Sequence, residues 1–308
     1  MLNQPMDVLE QFPVRKSKKQ KQAFRDAVQS YAEALGYEVT VEKGSMGSRN
    51  VIIGNPESAE YLVTAHYDTC AHMPIPNFIT PCNFIVYLIY QLLIVAVLFI
   101  VAGAVTALVS LTTHDGALAM NAGLLMYWVM LLLMMVGPAN KHNANDNTSG
   151  VVTVLEIART LSENHREKVC FVLFDLEEAG LLGSASYRSK HKKATNQQLV
   201  LNLDCIGDGD EIVMFLTSKL RRDKKKMGSL DSIARACGEK KLYLHKKGFA
   251  FCPSDQANFP KGVGIMAFHR KKILGLYCSR IHTHRDTILE EENVNILRDQ
   301  LTALITAD

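Results

Sequence analysis

Residues 84–111 (FIVYLIYQLLIVAVLFIVAGAVTALVSL) and 117–137 (ALAMNAGLLMYWVMLLLMMVG) contain no Asp, Glu, Lys or Arg, and only TTHDG separates them. Each run reaches or exceeds the roughly 20 helical residues that cross a hydrocarbon core of about 30 Å. Two helices joined by so short a connection must turn back on each other, and Gly103 and Gly123 permit close approach. A chain of 308 residues has little core in which to hide two such runs. The sequence therefore predicts a transmembrane hairpin, with a pair of buried helices or an apolar lid lying on the membrane surface as the alternatives. Trp128 and Tyr127 stand in mid-segment, not at an interfacial belt. A hairpin returns the chain to the side it left. That side carries KSKKQK (Lys16 to Lys21), RRDKKK (Arg221 to Lys226) and Lys141, against only His114 and Asp115 at the tip. This asymmetry predicts a multi-pass membrane protein of two spans, its folded part facing the cytoplasm.

The net charge of +3 gives no reason to expect a nucleic-acid partner. Seven cysteines without a CxxC pair argue against a thiolate zinc site or a disulfide framework. Buried free thiols in a reducing compartment are expected instead. The segment MLNQPMDVLEQFPVRKSKKQK has no apolar stretch of the signal-peptide kind.

Outside the hairpin, strands and helices alternate. Lys18 to Leu35 is predicted as an amphipathic helix, with helices also over 148–164, after Gly180, over Lys225 to Cys237 and over Val294 to Ile305. Strands are predicted over 37–43, 50–54, 60–66, 168–176, 198–206, 211–216 and 263–268. The alternation predicts an α/β fold, a three-layer αβα sandwich on a mixed, mostly parallel sheet, with the two-helix transmembrane hairpin inserted.

Five short motifs carry the chemistry: TAHYD (Thr64 to Asp68), NDNTSG (Asn145 to Gly150), DLEEAGLLGS (Asp175 to Ser184), NLD (Asn202 to Asp204) and RIHTHRDT (Arg280 to Thr287). In His66-x-Asp68, an imidazole can bind a metal while the nearby carboxylate holds its other ring nitrogen. Asp146 stands directly before a helix, where a carboxylate can bridge two cations. Of the adjacent Glu177 and Glu178, one can bind metal while the other handles protons. Asp204 and His282 complete the set, with His284 competing for the last place. Any one motif is ordinary, since HxD pairs and adjacent glutamates usually lie on the surface. Together they end apolar strands in carboxylates that would repel one another without a cation.

In this order the five motifs resemble the di-zinc aminopeptidases of metallopeptidase clan MH, the group of bacterial leucyl aminopeptidase, aminopeptidase Y and the glutamate carboxypeptidase II catalytic domain. The resemblance covers most of the chain outside 82–140. It implies two zinc ions: His66 and Asp204 on one, Glu178 and His282 on the other, and Asp146 bridging them, often with a cis peptide after it. It implies Glu177 as the general base and Asp68 as the partner of His66. Residues 1–81 and 141–308 would then form one catalytic domain with 82–140 inserted, its helices at about 84–111 and 117–137. The implied function is a membrane-anchored aminopeptidase acting on peptides, including membrane-associated ones, and the hairpin would be dispensable for activity on free peptides. Two departures stand out. FCPSDQANF puts Phe251 where many relatives carry an oxyanion-holding tyrosine, and Gln256 where they carry a histidine. A glutaminyl-peptide cyclase with a single zinc, or an inactive receptor of the same fold, are the competing readings.

Overall fold

The computed structural model describes residues 2–307. Its strands are β1 (Val39–Lys43), β2 (Arg49–Ile53), β3 (Tyr61–His66), β4 (Val169–Phe174), β5 (Leu199–Leu203), β6 (Glu211–Leu216), β7 (Arg235–Cys237), β8 (Lys240–Leu244), β9 (Gly262–Lys271) and β10 (Gly275–Tyr277). They form one mixed sheet in the order β1-β2-β4-β3-β5-β9-β6-β8-β7, with β10 paired to β9. The centre, β4-β3-β5-β9, is parallel, and antiparallel pairs flank it. The helices are α1 (Asp7–Gln11), α2 (Lys18–Ala34), α3 (Phe84–Thr113), α4 (Gly116–Val136), α5 (Gly150–Thr160), α6 (Leu182–Lys190), α7 (Lys192–Thr195), α8 (Lys224–Ser232) and α9 (Glu291–Thr306).

The layers follow from period-two alternation along the central strands. Val63, Ala65, Phe171, Leu173 and Leu201 point to one face and bury against α2, α5 and α9. Leu62, Val172, Phe174 and Val200 point to the other, against Tyr187 of α6 and Phe259. Helix α2 begins where the sequence predicts, because Ser17 and Gln20 form a capping box, and its apolar face carries Phe24, Val28 and Tyr31 into the core.

Some predicted boundaries move. The helix expected over Lys225 to Cys237 stops at Ser232, and Arg235–Cys237 turns back as a strand on β8. Gly238, at φ +60°, supplies the turn residue of that hairpin. The helix expected over 148–164 begins at Gly150, because Asp146 and Asn147 adopt non-helical angles within the preceding turn.

The two uncharged runs form α3 and α4, separated by His114 and Asp115 alone. Asp115 caps α4 by accepting from the amides of Ala117 and Leu118. The helices are long and apolar enough to cross a membrane by length and composition. Only 11% of the most apolar window of each is buried, so neither is a core helix of the sheet domain. They touch closely at Gly123, where a Cβ would lie 1.9 Å from Thr106 Oγ1 and 2.9 Å from the Ala102 carbonyl oxygen.

Candidate metal centre and catalytic cleft

The parallel register assembles the site. His66 ends β3 and pairs with Phe174 of β4, while Thr64 pairs with Asn202 of β5, so Asp204 comes level with His66. Glu177 and Glu178 follow β4 directly, Asp146 lies in the Ala144–Ser149 turn before α5, and His282 lies after β10. All converge at the carboxyl ends of parallel strands, where open α/β sheets build their sites.

Asp146 divides the cluster in two. Its Oδ1 is 3.2 Å from His66 Nε2, and its Oδ2 is 3.0 Å from His282 Nε2. Asp204 Oδ1 lies 3.6 Å from the same His66 nitrogen, and Glu178 Oε2 lies 3.5 Å from the His282 nitrogen. His66, Glu177 and Asp204 present donor atoms within 4.8 Å of one another, as do His66, Asp146 and Glu178. His284 is not in these groups; its ring stands 6.5 Å from that of His72. His269 bonds Asp208, 2.9 Å away, which also accepts from Arg280. The peptide between Asp146 and Asn147 is cis.

The charges of this cluster are unbalanced. Burial, together with neighbouring carboxylates, drives Glu177 far above the usual carboxylate range and Glu178 up to about 8. Burial opposes a charge on His282, but Glu178 and Asp146 outweigh it and lift the imidazole to about 9. Burial likewise opposes charge on Asp146, yet the two histidines hold its pKa below the ordinary value. Glu178 Oε1 and Asp204 Oδ1 are buried without a hydrogen-bond partner. Imidazole nitrogens and carboxylate oxygens are zinc donors, and a cation beside each orphaned oxygen would satisfy it, so the residues present fit the metal.

Supporting residues fix these side chains, and several were not legible in the motifs. His66 Nδ1 lies 3.1 Å from the Asp68 carbonyl oxygen and 3.6 Å from its carboxylate. The Asp68 carboxylate itself accepts from the Glu177 amide at 3.0 Å and the Glu178 amide at 3.3 Å, so it positions both glutamates as well as the histidine. Asp286, within RIHTHRDT, accepts from the amides of Asn145 at 2.7 Å and Asp146 at 3.0 Å. Arg15, fully buried, donates to the Tyr67 carbonyl oxygen and to Thr148 Oγ1 behind Asp146. Lys21, read from sequence as part of a basic run, is buried in a 2.5 Å pair with Asp175. Leu176, Leu181, Cys205 and His282 all have φ between 53° and 63°, so left-handed strain gathers at the turns that carry the site. Among the cysteines, the thiols of Cys70 and Cys205 reach the cluster; burial first, then carboxylates such as Glu178 and Asp146, push the Cys70 thiol upward.

The cluster floors a cleft of about 410 Å³. Its walls include Ile79, Phe251, Met266 and Ile281, and also Tyr87 of α3 and Met135 of α4. The apolar hairpin therefore contributes to the cleft and is not merely appended to it. Phe251 lies in this wall with its ring 5.6 Å from that of Tyr87. Gln256 accepts from Asn202 and donates to the Cys252 carbonyl oxygen, tying the loop to β5. Asp255 beside it is wholly buried, neither oxygen has a partner of good geometry, and burial pushes it up to about 7, with Ser184 near enough to moderate the shift.

Fold and donor set define a zinc-peptidase-like α/β protein. The sequence profile of Peptidase family M28 matches residues 132–303. The chain belongs to that family, which is part of clan MH. Aminopeptidase YwaD of Bacillus subtilis (strain 168) is 30% identical over 133 residues, covering 38% of this chain; the chain thus spans 28% of the length of this curated relative. Among solved structures, a glutaminyl cyclase from Tannerella forsythia superposes with a TM-score of 0.59 at 16% identity, over 99% of this chain and 98% of that one. A Zn-dependent exopeptidase from Parabacteroides distasonis gives 0.58 at 17% identity, over 96% and 94%. At these identities the likeness is one of fold.

Proposed function

We propose that this protein is a membrane-anchored, zinc-dependent aminopeptidase that removes N-terminal residues from peptides. One observation carries the reading: the two carboxylate oxygens of Asp146 face two different histidines, each with a further carboxylate beside it. His66 and Asp204 would hold one zinc ion, His282 and Glu178 a second, and Asp146 both. Bound there, zinc supplies Lewis acidity to the scissile carbonyl and to water. Glu177 is the general base: it takes a proton from the attacking water and returns it to the leaving amine. The Asp68 carboxylate, bonded to the amides of Glu177 and Glu178, fixes the backbone that carries the two glutamates. Residues 1–81 and 141–308 act as the catalytic domain on the cytoplasmic side, with α3 and α4 as the anchor. The supporting features of that topology are the exposed apolar helices and Lys16, whose ammonium bonds the Met135 carbonyl oxygen at the end of α4.

The test is hydrolysis of leucine p-nitroanilide by the detergent-solubilised, zinc-loaded chain. Activity is expected, and Glu177→Gln should lower kcat by about 10²–10⁴-fold while zinc content stays unchanged. A Glu177→Gln variant of full activity would refute the base assignment. The extensive fold match to a glutaminyl cyclase keeps one second reading in view. Conversion of N-terminal glutamine to its cyclic form, with no release of leucine, would favour it. Zinc binding by neither form would point to an inactive scaffold.

A further inference from the structure

Among the described residues, four large apolar side chains outside α3 and α4 are exposed: Met46, Phe249, Phe251 and Ile273. Three of the four gather at the foot of α3. The Phe249 ring lies 5.3 Å from that of Phe84, and the Phe251 ring 5.6 Å from that of Tyr87. The Asn83 side chain, which also caps α3, donates to the carbonyl oxygens of Ile273 and Leu274. Two separate loops thus dock on one helix end and leave their apolar tips outward. Each tip follows a lysine pair, as Lys246-Lys247-Gly248-Phe249 and Lys271-Lys272-Ile273, and all four lysines are exposed, although Lys246 pairs with Asp231 at 2.7 Å and Lys271 lies over the Tyr277 ring. Arg221 props the first loop by donating to the carbonyl oxygens of His245 and Lys246.

The height of this patch matters. Phe99 stacks on Tyr127, and Gly123 meets Ala102 and Thr106. In that register the end of α4, at Val136, stands beside about residue 90, so α3 extends past it by about six residues, or about 9 Å. That overhang is comparable to the headgroup layer of one leaflet, about 5–8 Å. Apolar tips beside paired lysines at that height match a surface of anionic lipid, with the tips reaching through the headgroup layer toward the acyl boundary and the ammonium groups on phosphates.

We infer that the loops around Phe249 and Ile273 form a collar that seats the catalytic domain on an anionic bilayer surface. Because Phe251 and Tyr87 also wall the cleft, the collar holds its mouth at the lipid interface. This rests on the membrane-spanning reading of α3 and α4, and one experiment separates the two. Trp128, the sole tryptophan, is exposed on α4 and reports on the hairpin. Ile273→Trp in a Trp128→Phe background reports on the collar. Both full-length proteins are placed in nanodiscs of phosphatidylcholine with or without phosphatidylglycerol, carrying lipids brominated along the acyl chain. Quenching of both indoles is expected. The collar indole should quench more with phosphatidylglycerol, and the gain should vanish when Lys246, Lys247, Lys271 and Lys272 become glutamine. Quenching of Trp128 alone overturns the collar and leaves the span standing. Quenching of the Ile273→Trp indole alone upholds the collar and overturns the span, and quenching of neither overturns both. An Ile273→Trp indole shielded from acrylamide yet blind to bromine marks a contact with a second copy and overturns the lipid assignment.

Discussion

Replacing Asp286 should loosen the metal centre without touching a ligand. Its carboxylate accepts from the amides of Asn145 and Asp146, and the residue is 1% exposed. In Asp286→Ala both buried N–H groups lose their partner, at about 1–3 kcal/mol each, so about 2–6 kcal/mol in all. Asp286→Asn keeps one acceptor and turns an amide donor toward the other N–H, so about half that loss is expected. Part of it is offset, because burial and Asp146 already push the Asp286 carboxyl up to about 7, and the variants remove that unfavourable charge. The backbone around Asp146 then drifts, and zinc affinity should fall by about 10–100-fold. Thermal unfolding in detergent measures the first effect, and competition with a chromophoric chelator measures the second. An alanine variant that keeps the parent midpoint and zinc affinity would refute the claim that Asp286 holds Asp146 in place.

Three further expectations follow from named contacts. Replacing 82–140 by a short linker takes Tyr87 and Met135 out of the cleft wall, so kcat/KM on soluble peptides should fall; an unchanged value would show that the cleft does not use the hairpin. Gly123→Ala drives a methyl into Thr106 and the Ala102 carbonyl oxygen and should cost about 1–3 kcal/mol, with Thr106→Ala restoring part of it; equal midpoints for Gly123→Ala and its parent would contradict the close helix contact. Burial opposes the charge of Lys240, but Glu290 and Asp210 outweigh it and raise its pKa above 10.5, so its stabilising contribution is complete below that value and lost as pH climbs through the higher folded one. The stability gap between parent and Lys240→Met should therefore hold from neutral pH to about 10 and close only in stronger alkali, and a gap that closes near neutrality would contradict the pairing.

Strands β3, β4 and β5 were legible because each is a largely apolar run with a histidine or carboxylate at or just beyond its end, and register then brings those ends together. The hairpin was legible for a similar reason, since an uncharged run of such length admits few alternatives. What escaped the sequence was tertiary in origin. Arg15 sits in a basic segment that reads as solvated, and only the fold places it behind Asp146, 131 residues away along the numbering. Lys21 is hidden by the same run. Asp286 lay inside a quoted motif, yet its task depends on a turn more than a hundred residues earlier. Asp255 lies between Phe251 and Gln256, two positions noted for other reasons, and nothing local marks it as buried. The strand Arg235–Cys237 was absorbed into a helix because a three-residue strand has too few positions to show alternation. Tyr87 and Met135 read as lipid-facing residues within uniformly apolar runs, where no periodicity separates a cleft-lining side chain from its neighbours.

Counting zinc per chain tests the core of this account most directly. Elemental analysis of the purified, full-length protein should find two ions, and His66→Ala and His282→Ala should each lose one while the fold survives. A single ion removed by either substitution, or zinc content indifferent to both histidines, would contradict a centre divided across Asp146.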